Sequence, residues 1–347
     1  MTRTGSMPLN RRTTCRLLAG LAALSACLPE PGAAADPGAE KVVFGTNWRA
    51  QAEHGGFYQA LATGLYAERG LDVEIREGGP QVNHRQLLAA GRLDFYMGGN
   101  LFGQFDFLRE GIPVVTVAAI FQKEPQALLA HPGVGIDGLE DLAGRTLLIA
   151  PFGQLTFWPW LKATYGLEDD QIRPYTFNPA PFIADPNSVQ QGYVTAEPFA
   201  IREAGGFDPV VLLLADAGYD SYPTLIQTRR ELVDERPEVV QAFVDASILG
   251  WMDYLYGDPA PGNALILEAN PEMTPAQIAY SIDAMKTYGI VDSGDALELG
   301  VGAMTEARWE SFFAKAVDWG IVEPGLPWRD GYTLEFADRG VGTELRP

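Results

Sequence analysis

Short apolar runs alternate along most of the chain with stretches whose apolar residues recur every three or four positions. The first pattern fits strands and the second fits helices. Lys41–Asn47 (KVVFGTN) predicts a buried strand that ends in a loop carrying Trp48. Gly55–Arg69 has helical spacing and is stopped by Gly70, Leu71–Ile75 alternates as a strand does, and Gly78-Gly79-Pro80 turns the chain. A helix at Gln86–Ala90, a short strand at Leu93–Met97, a helix at Phe102–Arg109 and a β-branched strand at Val114–Phe121 follow. Past Pro132 the pattern predicts a strand at Arg145–Ala150, a helix at Phe157–Tyr165, a strand at Pro209–Ala215 and a long helix at Pro237–Tyr256. From Thr274 onward the chain reads as mostly helical, and it has no internal repeat or low-complexity tract. Such alternation implies βαβ units and mainly parallel sheets flanked by helices. At 347 residues the chain exceeds what one core usually holds, so two lobes are expected.

The first segment has a different character. Arg3, Arg11, Arg12 and Arg16 precede a short apolar run at Leu17–Leu28, which Pro29 and Pro31 break before Ala33-Ala34-Ala35. This is the layout of a signal peptide over residues 1–35, cleaved after Ala35 and directing the protein to the periplasm. A second route is open, because Leu24-Ser25-Ala26-Cys27 has the form of a lipobox and Cys27 would then carry a lipid anchor. Both cysteines, Cys15 and Cys27, fall in this segment, so the mature chain would hold no disulfide, thiol nucleophile or thiolate metal site.

Charge narrows the partners. Removing residues 1–35 takes away four Arg and one Glu, so the formal charge of −20 becomes −23. An acidic body of that size is repelled by phosphate, which excludes nucleic acid as a partner. His54, His84 and His131 are isolated, without a second imidazole at ligand spacing, and no Gly-x-Ser-x-Gly elbow is present. No metal, cofactor or hydrolytic chemistry is expected.

Ligands of open α/β sheets bind beyond the carboxyl ends of the strands. That rule points to Asn47–Gly56, Gly98–Phe102, Pro151–Trp158 and Ala196–Phe199, loops rich in Trp, Phe, Gly and Asn. Trp48 could stack on a flat heterocycle, worth about 0.5–1.5 kcal/mol beyond burial, or pack a core. Asn47 offers donor and acceptor together, as does any turn asparagine. Tyr58 faces either the ligand or the core, and His54 would hydrogen-bond ligand or loop backbone. Gly98, Gly99 and Asn100 would let backbone N–H groups approach a ligand, or simply form a turn. Thr156 caps a helix or contacts ligand. Of the two indoles nearby, Trp158 is the contact candidate and Trp160 the core residue. Asp216, Tyr219, Asp220 and Tyr222 read as a polar loop.

Asn47-Trp48 with Glu53-His54-Gly55-Gly56-Phe57-Tyr58 resembles the opening of periplasmic proteins that bind thiamine-pyrimidine precursors. The resemblance continues through Gly64-Leu65-Tyr66, Gly70-Leu71-Asp72-Val73, Asp94-Phe95-Tyr96-Met97-Gly98, and Gln191-Gly192-Tyr193 to Glu197-Pro198-Phe199. It spans residues 41–320; the first sixty are specific, and the rest is shared with sulfonate-, taurine- and nitrate-binding proteins. The resemblance implies a two-lobed type II periplasmic binding protein fold with a hinged cleft. Lobe one would hold residues 36–128 and 226–347 and lobe two residues 129–225, with hinges near Leu128–His131 and Thr224–Gln227. It also implies a monomer that delivers a small planar nitrogen heterocycle to ABC transporter permease subunits. Glu197 matches the position that reads the pyrimidine edge, with Tyr193 as a stacking partner. A sulfonate- or taurine-type ligand is the alternative, although it calls for Arg or Lys at the cleft loops. A pyrimidine-forming enzyme branch that consumes its own histidine and pyridoxal phosphate is also similar, but it uses clustered cysteines that the mature chain lacks.

Overall fold

In the computed structural model, which describes residues 38–79 and 81–347, ten strands form two sheets of five. The expected signal peptide, its expected cleavage after Ala35 and the expected lipid anchor at Cys27 lie outside the described residues. The first sheet contains β1 (Glu40–Gly45), β2 (Leu71–Arg76), β3 (Phe95–Gly98) and β4 (Val114–Ala119). The second contains β5 (Gln126–Ala130), β6 (Thr146–Ile149), β7 (Ile172–Pro174), β8 (Ser188–Tyr193) and β9 (Val210–Leu213). The chain then returns as β10 (Leu225–Arg229) to complete the first. The strand orders are β2-β1-β3-β10-β4 and β7-β6-β8-β5-β9, the same topology twice.

Each sheet is mainly parallel: four strands run the same way and one runs against them. β1 runs parallel to β2 and β3, and β6 runs parallel to β7 and β8. The strand arriving from the opposite sheet is antiparallel to both neighbours: β10 lies between β3 and β4, and β5 lies between β8 and β9. The crossings are residues 120–125 and 214–224. The first ends ahead of the boundary expected after Leu128, because β5 pairs along its whole length inside the second sheet. At the second crossing Thr224 adopts φ +51°, a left-handed conformation that a β-branched residue takes only under constraint. Its N–H reaches Gly99 O (3.3 Å) and its carbonyl accepts from Ile120 N (3.1 Å), so both strand ends pin it.

Most elements follow the hydrophobic pattern, and Pro237–Tyr256 is helical over its full predicted length. The glycines of the His54-Gly55-Gly56 motif have a packing role. A Cβ on Gly55 would lie 2.0 Å from the Tyr254 ring, and one on Gly56 would lie 2.1 Å from the Trp251 ring. Helix Gly55–Ala62 therefore sits against the long helix at a separation only glycine permits. Around this contact Phe95 stacks on Phe243 at 4.1 Å, and Phe44 lies 4.7 Å from Phe57. Gly56→Ala should lower the denaturant midpoint by an amount equivalent to about 1–3 kcal/mol. An unchanged midpoint would mean the two helices can part without loss.

Candidate functional site

The loop after β1 is held from beneath. Thr46 Oγ1 donates to Trp48 O (2.7 Å) and accepts from Gly78 N (3.2 Å). A Cβ on Gly78 would lie 2.5 Å from Thr46 O, so glycine is what lets the second turn pack beneath this loop. Half-buried Trp48 is thereby presented toward the second sheet, where its ring lies 4.9 Å from that of Phe177. Phe177 follows β7 with φ +63° and is 50 % exposed; its ring lies 5.2 Å from Tyr175. A file of three aromatics thus runs from one sheet to the other.

The acidic end of that file is built on β8. Gly192 leaves room for Glu197, since a Cβ there would meet Glu197 Cβ at 2.7 Å. Glu197 opens helix Glu197–Gly205 and folds back so that Oε2 accepts from Tyr193 N (2.7 Å). Its Oε1 accepts from the Tyr175 hydroxyl (3.4 Å), which in turn accepts from Gln190 Nε2 (3.2 Å). Burial pushes the Glu197 carboxyl above its ordinary range.

Two further carboxyls join it. Glu53, 2 % exposed, accepts a hydrogen bond from the Thr195 hydroxyl, tying the first sheet's loop to the segment after β8. Burial raises its pKa from 4.5 to about 7, with the Glu197 charge adding to the rise. Glu124 lies in the first crossing, also 2 % exposed; Oε1 accepts from Gln126 N (3.3 Å) and Oε2 has no partner. Burial lifts it to about 8, against the pull of Arg308. The Tyr193 phenol feels Glu124, Glu53 and Glu197 together and, chiefly through burial, is held far above its usual range.

The structure brings Asn47, Trp48, His54, Tyr193 and Glu197 to this region. His54 is buried, its Nε2 3.3 Å from Asn47 Oδ1. Burial lowers it to about 3, so the imidazole is neutral. The other predicted residues have structural partners. Gly98 accommodates Gln227, whose Oε1 would lie 2.4 Å from a Cβ there. Asn100 caps its helix by accepting from Phe102 N (3.2 Å), and Leu101 N goes to Ser221 Oγ (3.2 Å). The Leu101 and Phe102 N–H groups at this helix start are therefore taken. Tyr58 packs in the first core. Thr156 does not cap the following helix; its hydroxyl donates to Phe152 O (3.0 Å). Trp158 is buried in the second core with its indole N–H given to Asp169 Oδ1 (2.8 Å), where Trp160 also packs.

Glu53, Glu124, Thr195, Tyr175 and Phe177 are the residues that sequence reasoning missed. Glu53 stands beside His54 in the motif that carries the resemblance, which was the one available signal. Among the described residues no group of three or more His, Cys, Asp or Glu is placed to hold a metal ion.

Residues 51–261 match the model of the family described as NMT1/THI5 like. The chain belongs to that family. It is 27% identical over 331 residues to the riboflavin-binding protein RibY of Chloroflexus aurantiacus, covering 92% of each chain. It is 22% identical over 250 residues to the 4-amino-5-hydroxymethyl-2-methylpyrimidine phosphate synthase THI11 of Saccharomyces cerevisiae, covering 67% of this chain and 72% of the other. The alkanesulfonate-binding protein SsuA of Xanthomonas axonopodis pv. citri, bound to MOPS, superposes with a TM-score of 0.61 at 14% identity, covering 87% of this chain and all of that one (100%). That likeness establishes the fold.

Glu53 and Glu124 keep their protons in the folded protein at pH values where the unfolded chain has lost them. Stability from this source is whole below the ordinary carboxyl value and drains as pH rises through about 7 and 8. Wild type should therefore lose more stability than Glu124→Gln between about pH 5 and pH 8, the curves diverging by up to about 1.4 kcal/mol per unit. Urea unfolding across that range checks it, and parallel curves would contradict the assignment.

Proposed function

We propose that the protein is the extracytoplasmic solute-binding component of an ABC importer and that it closes its two lobes over a small planar nitrogen heterocycle. The observation that carries this reading is the cross-sheet file Trp48–Phe177–Tyr175 ending on Glu197. Aromatic faces hold a flat guest, and the carboxylate takes the amine and ring nitrogen of its edge as charge-assisted hydrogen bonds. At 4.9 Å the Trp48 and Phe177 rings touch. A guest stacked on both needs about 7 Å between them, since ring carbons approach to about 3.5 Å on each face. Binding would then part these rings and let the lobes settle again, turning at residues 120–125 and 214–224.

The thiamine-pyrimidine precursor type is the first reading of the guest. Similarity to RibY along 92% of the chain favours a second, a flavin, whose larger ring system suits the same aromatic file. A sulfonate-type guest fits less well, because the helix start at Asn100 has its leading N–H groups engaged and the facing charges at the aromatic end are carboxylates. The neutral, buried His54 favours support of the Asn47 loop over a chemical step. The protein would act as a periplasmic monomer that passes its guest to permease subunits.

Titrating riboflavin by fluorescence quenching, and 4-amino-5-hydroxymethyl-2-methylpyrimidine by calorimetry, should give saturable binding for one of them. The double variant Trp48→Ala/Glu197→Gln should weaken it roughly hundredfold, from the loss of stacking and of charge-assisted hydrogen bonds. Undiminished affinity in that variant would remove the reading.

A further inference from the structure

Three carboxyls from three separate parts of the chain gather around one phenol. β5 and β8 set the arrangement: Gln126 lies opposite Tyr193, and Val194 N donates to Pro125 O (2.9 Å). Glu124, one residue before Pro125, therefore runs beside the end of β8. Thr195 and Glu197, just beyond that end, hold Glu53 and fold back on Tyr193.

One buried carboxylate oxygen at this place lacks a partner. It is Glu124 Oε2; nearby Tyr219, 1 % exposed, interacts electrostatically with Glu124 and Tyr193 and turns its hydroxyl to Thr156. Thr156 gives its own proton to Phe152 O and keeps its lone pairs for the Tyr219 hydroxyl. A buried acceptor without a donor is costly, the more so when charged. The protein's own cation is engaged elsewhere. Arg308 donates to Gln122 O (2.6 Å), Asp220 O (3.2 Å) and Ser221 O (3.2 Å) and lies over the Tyr222 ring.

We propose that the ligand carries a cationic nitrogen group, a protonated amine or amidine, which settles among Glu53, Glu124 and Glu197 and supplies the missing donor to Glu124 Oε2. This rests on the heterocycle reading for where the guest lies and adds the charge it bears. Seating a cation favours the ionised carboxylates, so binding expels protons near neutral pH. The other titratable groups facing the cluster are silent there. Burial holds the phenols of Tyr175, Tyr193, Tyr219 and Tyr254 above their usual range, and His54 is already neutral.

Calorimetry with three probes tests this, run at about pH 7 in two buffers of different protonation heat. The probes are 4-amino-5-aminomethyl-2-methylpyrimidine as the cationic ring, its 5-hydroxymethyl counterpart as the neutral ring, and putrescine as a cation without a ring. The aminomethyl compound should bind at least about tenfold tighter than the hydroxymethyl one and release protons. Glu124→Gln, with its fold checked by thermal unfolding, should narrow that ratio. Equal or weaker binding of the aminomethyl compound, or binding without proton release, overturns the charge inference and leaves the ring reading standing. Binding of putrescine alone keeps the charge inference and removes the ring reading. Binding of none of the three removes the charge inference and the pyrimidine form of the ring reading; riboflavin titration tests the flavin form separately.

Discussion

The pairing of β5 with β8 sets what can happen between the sheets. It places Gln126 opposite Tyr193 and draws the first crossing alongside the end of β8. Glu124 and Glu197 are thereby brought to the same phenol although 72 residues lie between them in sequence. Gln126 strengthens the arrangement twice, donating its backbone N–H to Glu124 and its side-chain amide to Gly192 O (2.9 Å). Slipping this pair by one residue would turn Tyr193 and Glu124 to opposite faces, so the register is as much part of the site as the side chains are.

Acidic groups are costly to bury, and the surroundings show how the cost is contained. Each carboxyl keeps at least one donor, from Thr195, Gln126, Tyr193 or Tyr175. What remains is met by retaining protons, which is why burial lifts all three. The glycines beside them serve geometry: Gly192 admits the folded-back Glu197, and Gly78 admits the turn beneath Trp48. Backbone compactness and side-chain chemistry are thus linked at the same positions.

Much of this was legible in the residues, and the misses have a common cause. Val114–Ala119 announces a strand through its β-branched run, and Pro237–Tyr256 announces a helix through its spacing. β5, with the sequence Gln-Ala-Leu-Leu-Ala, carries neither signal; it is a strand because two neighbours hydrogen-bond to it, and it is buried along its length. β8 carries no clear signal either, since Gln190 and Gln191 belong to a strand whose polar side chains find buried partners. In the same way Trp48 and Trp158 look alike in sequence. A distant aspartate claims one indole and leaves the other facing the opposite sheet. Glu53 and Glu124 could not be singled out, because burial of a carboxyl is a property of the assembled molecule.

The exchange of fourth strands has a consequence for synthesis on the ribosome. β3 and β4 never touch as neighbours; β10 fills the space between them. When residue 119 has emerged, the first sheet has a gap one strand wide, and it stays open until Leu225–Arg229 follows more than a hundred residues later. The second sheet has all five of its strands once Leu213 is made, so it can assemble first even though its sequence comes later. Long-range closure of this kind is slow, and it leaves unpaired strand edges exposed while translation proceeds. The N-terminal half of the nascent chain is thus the part with most need of a chaperone.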